Sequence, residues 1–378
     1  MKTICFTGTR ADYGIYRPLL KMLSLEEDIN LQLVVTGMHL LEEYGRTITA
    51  VQKDGLDIIA APSILIRGDG TYHMSQSVGL AVLYFADILD FHRPDFILLL
   101  GDRGEMLAAA LAAHYQNIGI VHLFGGESSG SADDAIRHAV SKLAHLHFVS
   151  TLRSKANLVR MGEDEWRITA VGTLRKHDIV KVSKLPPEVA STWLKKYKLS
   201  SRTKNILVCM HPDSKEELEL AGQIGSVIDA LDGLNNANII IIGPNSDAGA
   251  DLFRERLLQF SSQGDNRTYL ASIDSDEYLF LLSRVDLMVG NSSSGIIETP
   301  FFNIPFINVG RRQQGRECGS NVLSLPYHSG LIKEAIVDLL QNPREKLTLN
   351  PYDLVDSPAL SIVEKLKEMA VAKNWCYK

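Results

Sequence analysis

Residues 125–138, GGESSGSADDAIRH, bring together side chains that can exchange protons. A structural alternative is a helix capped by Ser131 or Asp133, in which Asp133 and Arg137 form an ordinary surface pair one turn apart. A cap alone does not require two glycines and Glu127 before it. Crowded carboxylates can differ in pKa, so that one serves as a base and another as an acid. The stretch therefore predicts a helix start whose preceding loop carries reacting groups.

A second acidic group follows another predicted strand, in the segment GDRGE. Here Asp102 stands next to Arg103 where the strand ends. The alternative is an N-cap aspartate beside a solvated arginine. Acidic residues then crowd the ends of two strands in the first half of the chain, and we expect Asp102, Asp133 and Glu127 to take part in proton transfer.

Glycines, serines and arginines after other strands are typical of phosphate binding. The segment GTRADYG could hold an anion at a helix start beside Arg10, although it lacks the G-x-G-x-x-G dinucleotide fingerprint. In GNSSSGIIE, Ser292 and Ser293 open a predicted helix, and Glu298 could accept hydrogen bonds from ribose hydroxyls. A plain turn and a serine-capped helix remain the respective alternatives.

Three further polar residues follow strands of the second half. His211 lies in CMHPDS, Asn245 in IIGPNSDAG and Arg312 in GRRQQGRE. A lone histidine at such a place is more often structural, but a phosphate contact is possible, and arginine forks suit phosphate oxygens. The second half is thus predicted to hold a nucleoside diphosphate while the first half supplies carboxylates, which implies chemistry on a nucleotide sugar.

Short apolar strands that alternate with amphipathic helices must position these residues. The near-continuous Val, Ile and Leu content of the strands is typical of parallel sheets buried on both faces. We predict an α/β protein with two Rossmann-like domains whose parallel sheets face each other across a cleft, at residues 1–180 and 181–356. The predicted strands are 2–7, 31–36, 96–100, 118–124, 146–149 and 168–171, then 205–210, 238–242, 267–270, 287–289 and 306–309.

Composition excludes several other classes. The 378 residues suit two domains, and a net charge of -6 without a basic block gives no support for nucleic-acid binding. Four cysteines without a C-x-x-C pair indicate a reducing compartment, and the two histidines of HLHF lack a third metal ligand. No signal peptide and no membrane-spanning run near 18 residues are expected, so the sequence predicts a cytoplasmic protein.

The chain carries, in this order, the motifs GTRADYG, GDR, GGE with DDAIRH, HP, PN-x-DAG, GNSS-x-G-x-x-E and R-Q-x-GRE. Together these motifs resemble those of the hydrolysing UDP-N-acetylglucosamine 2-epimerases, over about residues 1–325. The GTRPE start, EAGLR block and HRREN-like segment of the non-hydrolysing branch are not in the sequence. The resemblance implies a GT-B fold in which a C-terminal helix at about 357–378 returns to the N-terminal domain. It also implies a homodimer or homotetramer and no metal or organic cofactor.

The same resemblance implies release of UDP and a free 2-acetamido-mannose-type sugar, through elimination to a 2-acetamidoglucal and addition of water. It places Asp102 and Asp133 at catalytic positions without ordering their roles. By motif position, the residues that would bind UDP are Arg10, Arg103, His211, Asn245, Ser292, Ser293, Glu298 and Arg312.

Two residues depart from the sialic-acid members of the family. Phe124 stands where those members carry a glutamate before the two glycines, and Leu100 stands where they carry a histidine. Glu127 or His122 could then take over proton transfer or contact the substrate. The substrate therefore stays open between UDP-GlcNAc and UDP-N,N'-diacetylbacillosamine. A GT-B glycosyltransferase and a nucleotide-sugar sensor without catalysis are the rival functions.

Overall fold

Near-continuous apolar segments form two parallel sheets, as their composition predicts. The structure, a computed structural model, describes residues 1–66, 71–130, 133–199, 202–213, 215–244, 249–342 and 349–372. The chain divides into two units. The first contains Met1–Ser128, Ala132–His177 and the chain from Asp353 onward, and the second contains Ser129–Ser131 and Asp178–Tyr352.

Seven parallel strands form the sheet of the first unit, in the order β3-β2-β1-β4-β5-β6-β7. The strand order reverses between β1 and β4, and ligands of such sheets bind beyond the carboxyl ends of the strands at this point. The strands are β1 (Lys2–Thr7), β2 (Asn30–Val35), β3 (Ile58–Ala60), β4 (Phe96–Leu100), β5 (Gly119–Leu123), β6 (Leu146–Val149) and β7 (Ile168–Ala170).

Helices cover both faces of this sheet. On one face, Tyr16, Leu19 and Leu20 pack against Ile362 and Leu366 of the C-terminal helix, which belongs to the first unit. The helices are α1 (Arg10–Leu23), α2 (Ile48–Lys53), α3 (Thr71–His92), α4 (Gly104–Tyr115), α5 (Asp133–Leu143), α6 (Leu152–Arg160) and the C-terminal α15 (Pro358–Ala372); α7 (Lys176–Ser183) runs from the first unit into the second.

The second unit repeats this architecture around a six-stranded parallel sheet, in the order β10-β9-β8-β11-β12-β13. Its strand order reverses between β8 and β11. The strands are β8 (Lys204–Cys209), β9 (Ala237–Ile242), β10 (Arg267–Leu270), β11 (Leu287–Gly290), β12 (Phe306–Val309) and β13 (Val322–Leu325). The helices are α8 (Pro187–Lys196), α9 (Leu220–Leu231), α10 (Ala250–Ser262), α11 (Ser275–Leu282), α12 (Ser294–Ile297), α13 (Thr299–Phe302) and α14 (Ser329–Gln341).

The predicted fold class is confirmed, and all eleven predicted strands form, each within one residue of its predicted bounds. Two strands were not predicted. The strands β3 (IIA) and β13 (VLSL) lie at sheet edges and are only partly buried, so their apolar signal is weaker than that of the central strands.

The expectation that no apolar run approaches 18 residues is wrong. By length and composition alone, Tyr72–His92 within α3 could span a membrane. In the structure Ala81, Phe85 and Leu89 of this helix are buried in the core that it shares with α4. The helix is thus packed as an element of the first unit.

Candidate active site

The turn after β4 places Asp102 beside a buried arginine. Gly101 has φ +76°, a left-handed conformation that glycine adopts without strain, and Asp102 follows it. The guanidinium of Arg137 donates to the Asp102 carboxylate and, at 2.5 Å, to Asp134 Oδ1. It also donates to the main-chain oxygen of Glu127 at 3.1 Å. Arg137 is only 2% exposed. A buried cation therefore connects the carboxyl end of β4 to the loop before α5.

This arrangement corrects the surface pair that helical spacing suggested between Asp133 and Arg137. Asp133 is the first residue of α5 and is exposed, whereas Arg137 points into the protein. The suggested cap Ser131 lies outside the described residues. The other alternative is also not observed, because the N-cap of α4 is Arg103 and not Asp102. The carboxylate of Asp102 is therefore available for a role other than capping.

Glu127 lies in a loop that is clamped onto α6. Its Oε1 accepts a hydrogen bond of 2.5 Å from the Ser150 hydroxyl, and its side chain is buried. Asn157 donates to the main-chain oxygen of Gly126 at 2.8 Å. A Cβ atom on Gly126 would lie 2.4 Å from the Ser154 oxygen, so only glycine allows this approach. The structure thus places Glu127 against the end of β6.

Two residues of the neighbouring strand end differ in exposure. His122 is fully buried within β5, and its ring nitrogen Nε2 lies 2.8 Å from the Gly101 oxygen. Phe124 follows the strand with φ +63°, which is uncommon for a bulky residue. Its main-chain N–H donates to the Phe148 oxygen at 2.7 Å, and its ring packs against the core. A phenyl ring cannot transfer protons, so this position does not supply an acid or a base.

The turn after β1 is built around a buried carboxylate. Asp12 accepts hydrogen bonds from the main-chain N–H groups of Gly8 and Tyr13 and forms a capping box with Thr9. Burial raises the pKa of Asp12, although the hydrogen bonds from Gly8 and Thr7 oppose this shift. The exposed Arg10 begins α1 at this turn.

Arg103 lies after β4, the strand next to β1. Its guanidinium donates to Glu105 Oε1 at 3.3 Å, and Glu105 is buried. A Cβ atom on either Gly8 or Gly37 would lie 2.9 Å from the same oxygen, so both glycines make room for this carboxylate. Glu105 therefore directs Arg103 at the end of the sheet where the strand order reverses.

In the second unit, Asn291 connects the candidate nucleotide-binding residues. Its side-chain amide exchanges two hydrogen bonds of 2.8 Å with the main chain of His211. Its main-chain oxygen accepts hydrogen bonds from Gln313 at 3.0 Å and Arg312 at 3.5 Å. A Cβ atom on the preceding Gly290 would lie 2.0 Å from the Cys209 oxygen, so glycine is required where β8 and β11 meet. One buried asparagine thus joins three loops at the carboxyl end of this sheet.

The serines after β11 open a shorter helix than the sequence suggests. Ser292 is buried, Ser293 is the N-cap residue, and α12 ends after a single turn. Ser294 donates to Glu298 Oε2 at 2.7 Å and is also bonded to the hydroxyl of Tyr278. Burial raises the pKa of the nearby Cys209 thiol to about 11, although a hydrogen bond to Ser292 opposes this shift. Cys209 is therefore not a candidate nucleophile. The predicted UDP-binding residue Asn245 lies outside the described residues.

Comparison with known proteins places this arrangement in a family. The profile of the UDP-N-acetylglucosamine 2-epimerase family matches residues 21–366. The UDP-N,N'-diacetylbacillosamine 2-epimerase (hydrolyzing) of Legionella pneumophila is 40% identical over 345 residues, which are 91% of this chain and 90% of that protein. The chain belongs to the UDP-N-acetylglucosamine 2-epimerase family. The UDP-N-acetylglucosamine 2-epimerase of Neisseria meningitidis serogroup B is 34% identical and is aligned over 89% of this chain and 86% of its own length.

Solved structures show the same fold. A crystal structure of a UDP-GlcNAc 2-epimerase from Neisseria meningitidis bound to UDP-GlcNAc superposes with a TM-score of 0.83 at 18% sequence identity. It covers 97% of this chain and 100% of the other. The protein is therefore an enzyme of the UDP-N-acetylglucosamine 2-epimerase family with the family's fold, and hydrolysing enzymes are among its relatives.

The residues that organise these strand ends were not among the site residues predicted from the sequence. Arg137, Asn291 and Glu105 each contact a predicted residue directly, and Gln313 contacts Asn291. A signal was present for Asn291, which directly follows a strand, as the predicted residues do. No comparable signal distinguished Arg137, because a basic residue one turn after an acidic one is common on helix surfaces.

Proposed function

We propose that the protein hydrolyses a UDP-2-acetamido sugar with inversion at carbon 2, releasing UDP and a free 2-acetamido-mannose-type sugar. The ion pair between Asp102 and Arg137 carries this proposal. Arg137 holds the Asp102 carboxylate in place at the end of β4, and a positioned carboxylate can accept a proton. We therefore assign Asp102 as the base of the elimination step.

The reaction needs a good leaving group before it needs a base. The hydrogen on carbon 2 of the sugar is not next to a carbonyl group and is hardly acidic. When the bond between carbon 1 and the UDP oxygen breaks, UDP takes the electron pair and carbon 1 becomes oxocarbenium-like. The Asp102 carboxylate then accepts the carbon 2 proton, and a double bond forms between carbons 1 and 2.

The second half of the reaction adds water to this 2-acetamidoglucal. Water supplies the hydroxyl group on carbon 1, and Asp133 gives a proton to carbon 2 from the opposite face. The remaining proton of water restores Asp133, while the proton on Asp102 passes to solvent. Glu127 supports these groups from its position against Ser150. Two positioned groups are required because the proton leaves one face and returns to the other.

The negative charge that develops on the departing UDP needs the most stabilisation. In the second unit we assign Ser292, Ser293 and Arg312 to the diphosphate, together with His211. Glu298 accepts hydrogen bonds from the ribose, and Asn245 is assigned to UDP by its motif. In the first unit, Arg10 and Arg103 are assigned to UDP by their motifs. Arginine forks and main-chain N–H groups suit phosphate oxygens, which supports these assignments.

The identity of the sugar is proposed from the relatives and from one residue. The 40% identity to a UDP-N,N'-diacetylbacillosamine 2-epimerase exceeds the 34% identity to a UDP-N-acetylglucosamine 2-epimerase. Phe124 replaces the glutamate of the sialic-acid members with an apolar ring. Both features favour UDP-N,N'-diacetylbacillosamine over UDP-GlcNAc as the better substrate.

A homo-oligomer is part of this proposal. The outward face of α3 exposes large apolar side chains, with Leu83 67% and Phe91 83% exposed, and Tyr115 of α4 is equally exposed. Large contiguous apolar patches often mark interfaces between proteins, and Leu83 and Phe91 lie on one face of the helix. A second copy of the chain would cover this face.

Incubation in heavy water with each UDP sugar, followed by proton NMR and mass spectrometry, tests the function. We expect UDP and a free manno-configured sugar with deuterium at carbon 2, formed faster from UDP-N,N'-diacetylbacillosamine. Release of UDP without deuterium at carbon 2 would indicate hydrolysis or failed glycosyl transfer instead. Binding of both sugars without any release would support a nucleotide-sugar sensor.

A further inference from the structure

We infer that His122 is a positioning residue, whose ring holds the Gly101 carbonyl and thereby orients Asp102 without exchanging protons with the substrate. This inference rests on the proposed function for the role of Asp102. The His122 ring is fully buried within β5. Its Nε2 lies 2.8 Å from the Gly101 oxygen, and its Nδ1 lies 3.0 Å from the Ser141 hydroxyl oxygen.

The partners of the ring determine where its proton is. A carbonyl oxygen can only accept a hydrogen bond, so Nε2 must carry the hydrogen that points to Gly101. Nδ1 is then the lone-pair nitrogen, and the single hydrogen of the Ser141 hydroxyl is shared between Nδ1 and the Arg137 main-chain oxygen, each 3.0 Å away. The neutral ring thus makes its bond to the turn before Asp102 with its only N–H group.

The surroundings of the ring keep it neutral. Burial lowers the pKa of His122 to about 3, although the hydrogen bond to Gly101 opposes this shift. Arg137 and His138 of α5 and His147 of β6 add to the lowering because they are cations or become cations when protonated. A ring that stays neutral through the physiological range is poorly suited to donate protons in each turnover.

The backbone of Gly125 packs directly against the His122 ring. A Cβ atom at this position would lie 2.6 Å from the Ser141 hydroxyl oxygen and 2.7 Å from His122 Nδ1. The first glycine of the Gly-Gly pair is therefore required because its backbone lies directly on the His122 and Ser141 side chains. Neither ring nitrogen faces a surface that a substrate reaches.

Two residues of α5 act on the same turn. Arg137 and Ser141 are four positions apart and lie on one face of the helix. Arg137 binds the Asp102 side chain directly, and Ser141 supports the ring that binds the preceding carbonyl. The turn that carries Asp102 is thus held through its side chain and through its backbone. Without the His122 bond, the left-handed turn at Gly101 could relax and displace the carboxylate.

Two substitutions separate positioning from proton transfer. In His122→Gln the amide nitrogen can reach the place of Nε2 and donate to Gly101, whereas the shorter side chain of His122→Asn cannot. Because a 1 Å misplacement of a reacting group can cost about 10²-fold in rate, we expect kcat to fall by about that factor in His122→Asn. We expect His122→Gln to recover most of this loss, with KM and the shape of the pH profile of kcat unchanged.

A catalytic histidine would give the opposite pattern. His122→Gln would then be as inactive as His122→Asn, and its pH profile would lose a limb. That result, or wild-type kcat in both variants, would overturn the inference. Thermal melts of each variant show whether a loss of rate comes from a loss of folding.

A second measurement is independent of turnover. In wild-type protein labelled with ¹⁵N-histidine, NMR should show His122 protonated on Nε2 only and unchanged between pH 8 and pH 5. Titration of the ring in this range, or a proton on Nδ1, would overturn the inference even if the proposed reaction were absent. Absence of turnover together with the expected tautomer would instead contradict only the proposed function.

Discussion

The guanidinium of Arg137 donates a hydrogen bond to the carboxylate of Asp102, which lies 35 positions earlier in the chain. The same guanidinium binds Asp134 and the Glu127 main-chain oxygen, so one buried cation joins a strand end, a loop and a helix start. An exposed lysine or arginine at this place would contribute little, but a buried fork orients each group that it binds. The proposed base is therefore positioned by a residue of another element.

Replacing Arg137 tests this relationship. In Arg137→Lys the charge remains, but an ammonium group cannot match the planar fork that contacts Asp102 and Asp134 together. We expect kcat to fall by about 10²-fold because the base is no longer held in place. Steady-state kinetics measure the effect, and calorimetric titration with UDP should give an unchanged Kd. An unchanged kcat would show that the ion pair is structural only.

The two proposed proton-transfer residues can be tested with amides of the same shape. Asp102→Asn and Asp133→Asn should each reduce kcat by at least about 10³-fold, within the range seen when a general acid or base is removed. UDP affinity should remain nearly intact in both variants. Asp134→Asn is the matched control, since Asp134 also binds Arg137 but has no proposed proton-transfer role. Normal turnover in either of the first two variants would remove that residue from the mechanism.

Asn291 gives a separate test of the nucleotide-binding loops. Asn291→Ala loses both hydrogen bonds to His211, and we expect the Kd for UDP to rise about tenfold or more, because about 1.4 kcal/mol corresponds to a tenfold change. Asn321→Ala is the matched control. Asn321 is also a buried amide, but it binds Thr299 and the Ile304 oxygen. If both variants bind UDP equally weakly, the effect comes from general loosening of the unit.

Two buried histidines predict how stability depends on pH. Burial lowers the pKa of His39 to about 4 and that of His122 to about 3, whereas an unfolded histidine titrates near 6.5. Between the folded and unfolded pKa values, the unfolded chain therefore binds more protons than the folded chain. The contribution of these rings to the free energy of unfolding is fully present above about pH 6.5 and is lost as pH falls. In this range each ring lowers the free energy of unfolding by about 1.4 kcal/mol for each unit by which the pH falls.

Urea unfolding at several pH values measures this slope. Between pH 6 and pH 4.5, His122→Gln should lower the slope by about 1.4 kcal/mol per pH unit relative to wild type, since glutamine binds no proton. His39→Gln should lower it similarly over the same window. Parallel curves for the variants and wild type would mean that neither ring is neutral in the folded state.

We expect the exposed face of α3 to be buried between copies of the chain, so a single charged residue on this face should disrupt the oligomer. Leu83→Arg places a charge among apolar side chains that a second copy would bury, so we expect a lower mass by light scattering at the same concentration. Leu25→Arg is the control, because Leu25 is 84% exposed but lies outside this helix. An unchanged mass in Leu83→Arg would place the interface elsewhere.

The sequence by itself determined the alternation of strands and helices. The central strands are continuous apolar runs, such as Phe96–Leu100 and Leu146–Val149, because both faces of a parallel sheet are buried. Polar residues within two positions of the end of such runs, including Asp102 and His211, could be selected because the chain leaves the core there. The edge strands Ile58–Ala60 and Val322–Leu325 escaped prediction because edge positions do not require the same burial.

Only the tertiary structure decided which of these residues meet. Helical spacing suggested a local partner for Arg137 in Asp133, but the packing of α5 against α4 and β5 turns Arg137 inward to Asp102. His122, one of the residues predicted to contact the substrate or to transfer protons, lies within β5 instead of after it, and its ring is fully buried. Periodicity in a sequence reports which face of an element is buried. The partner that a buried polar group finds depends on neighbouring elements, which only the folded chain brings together.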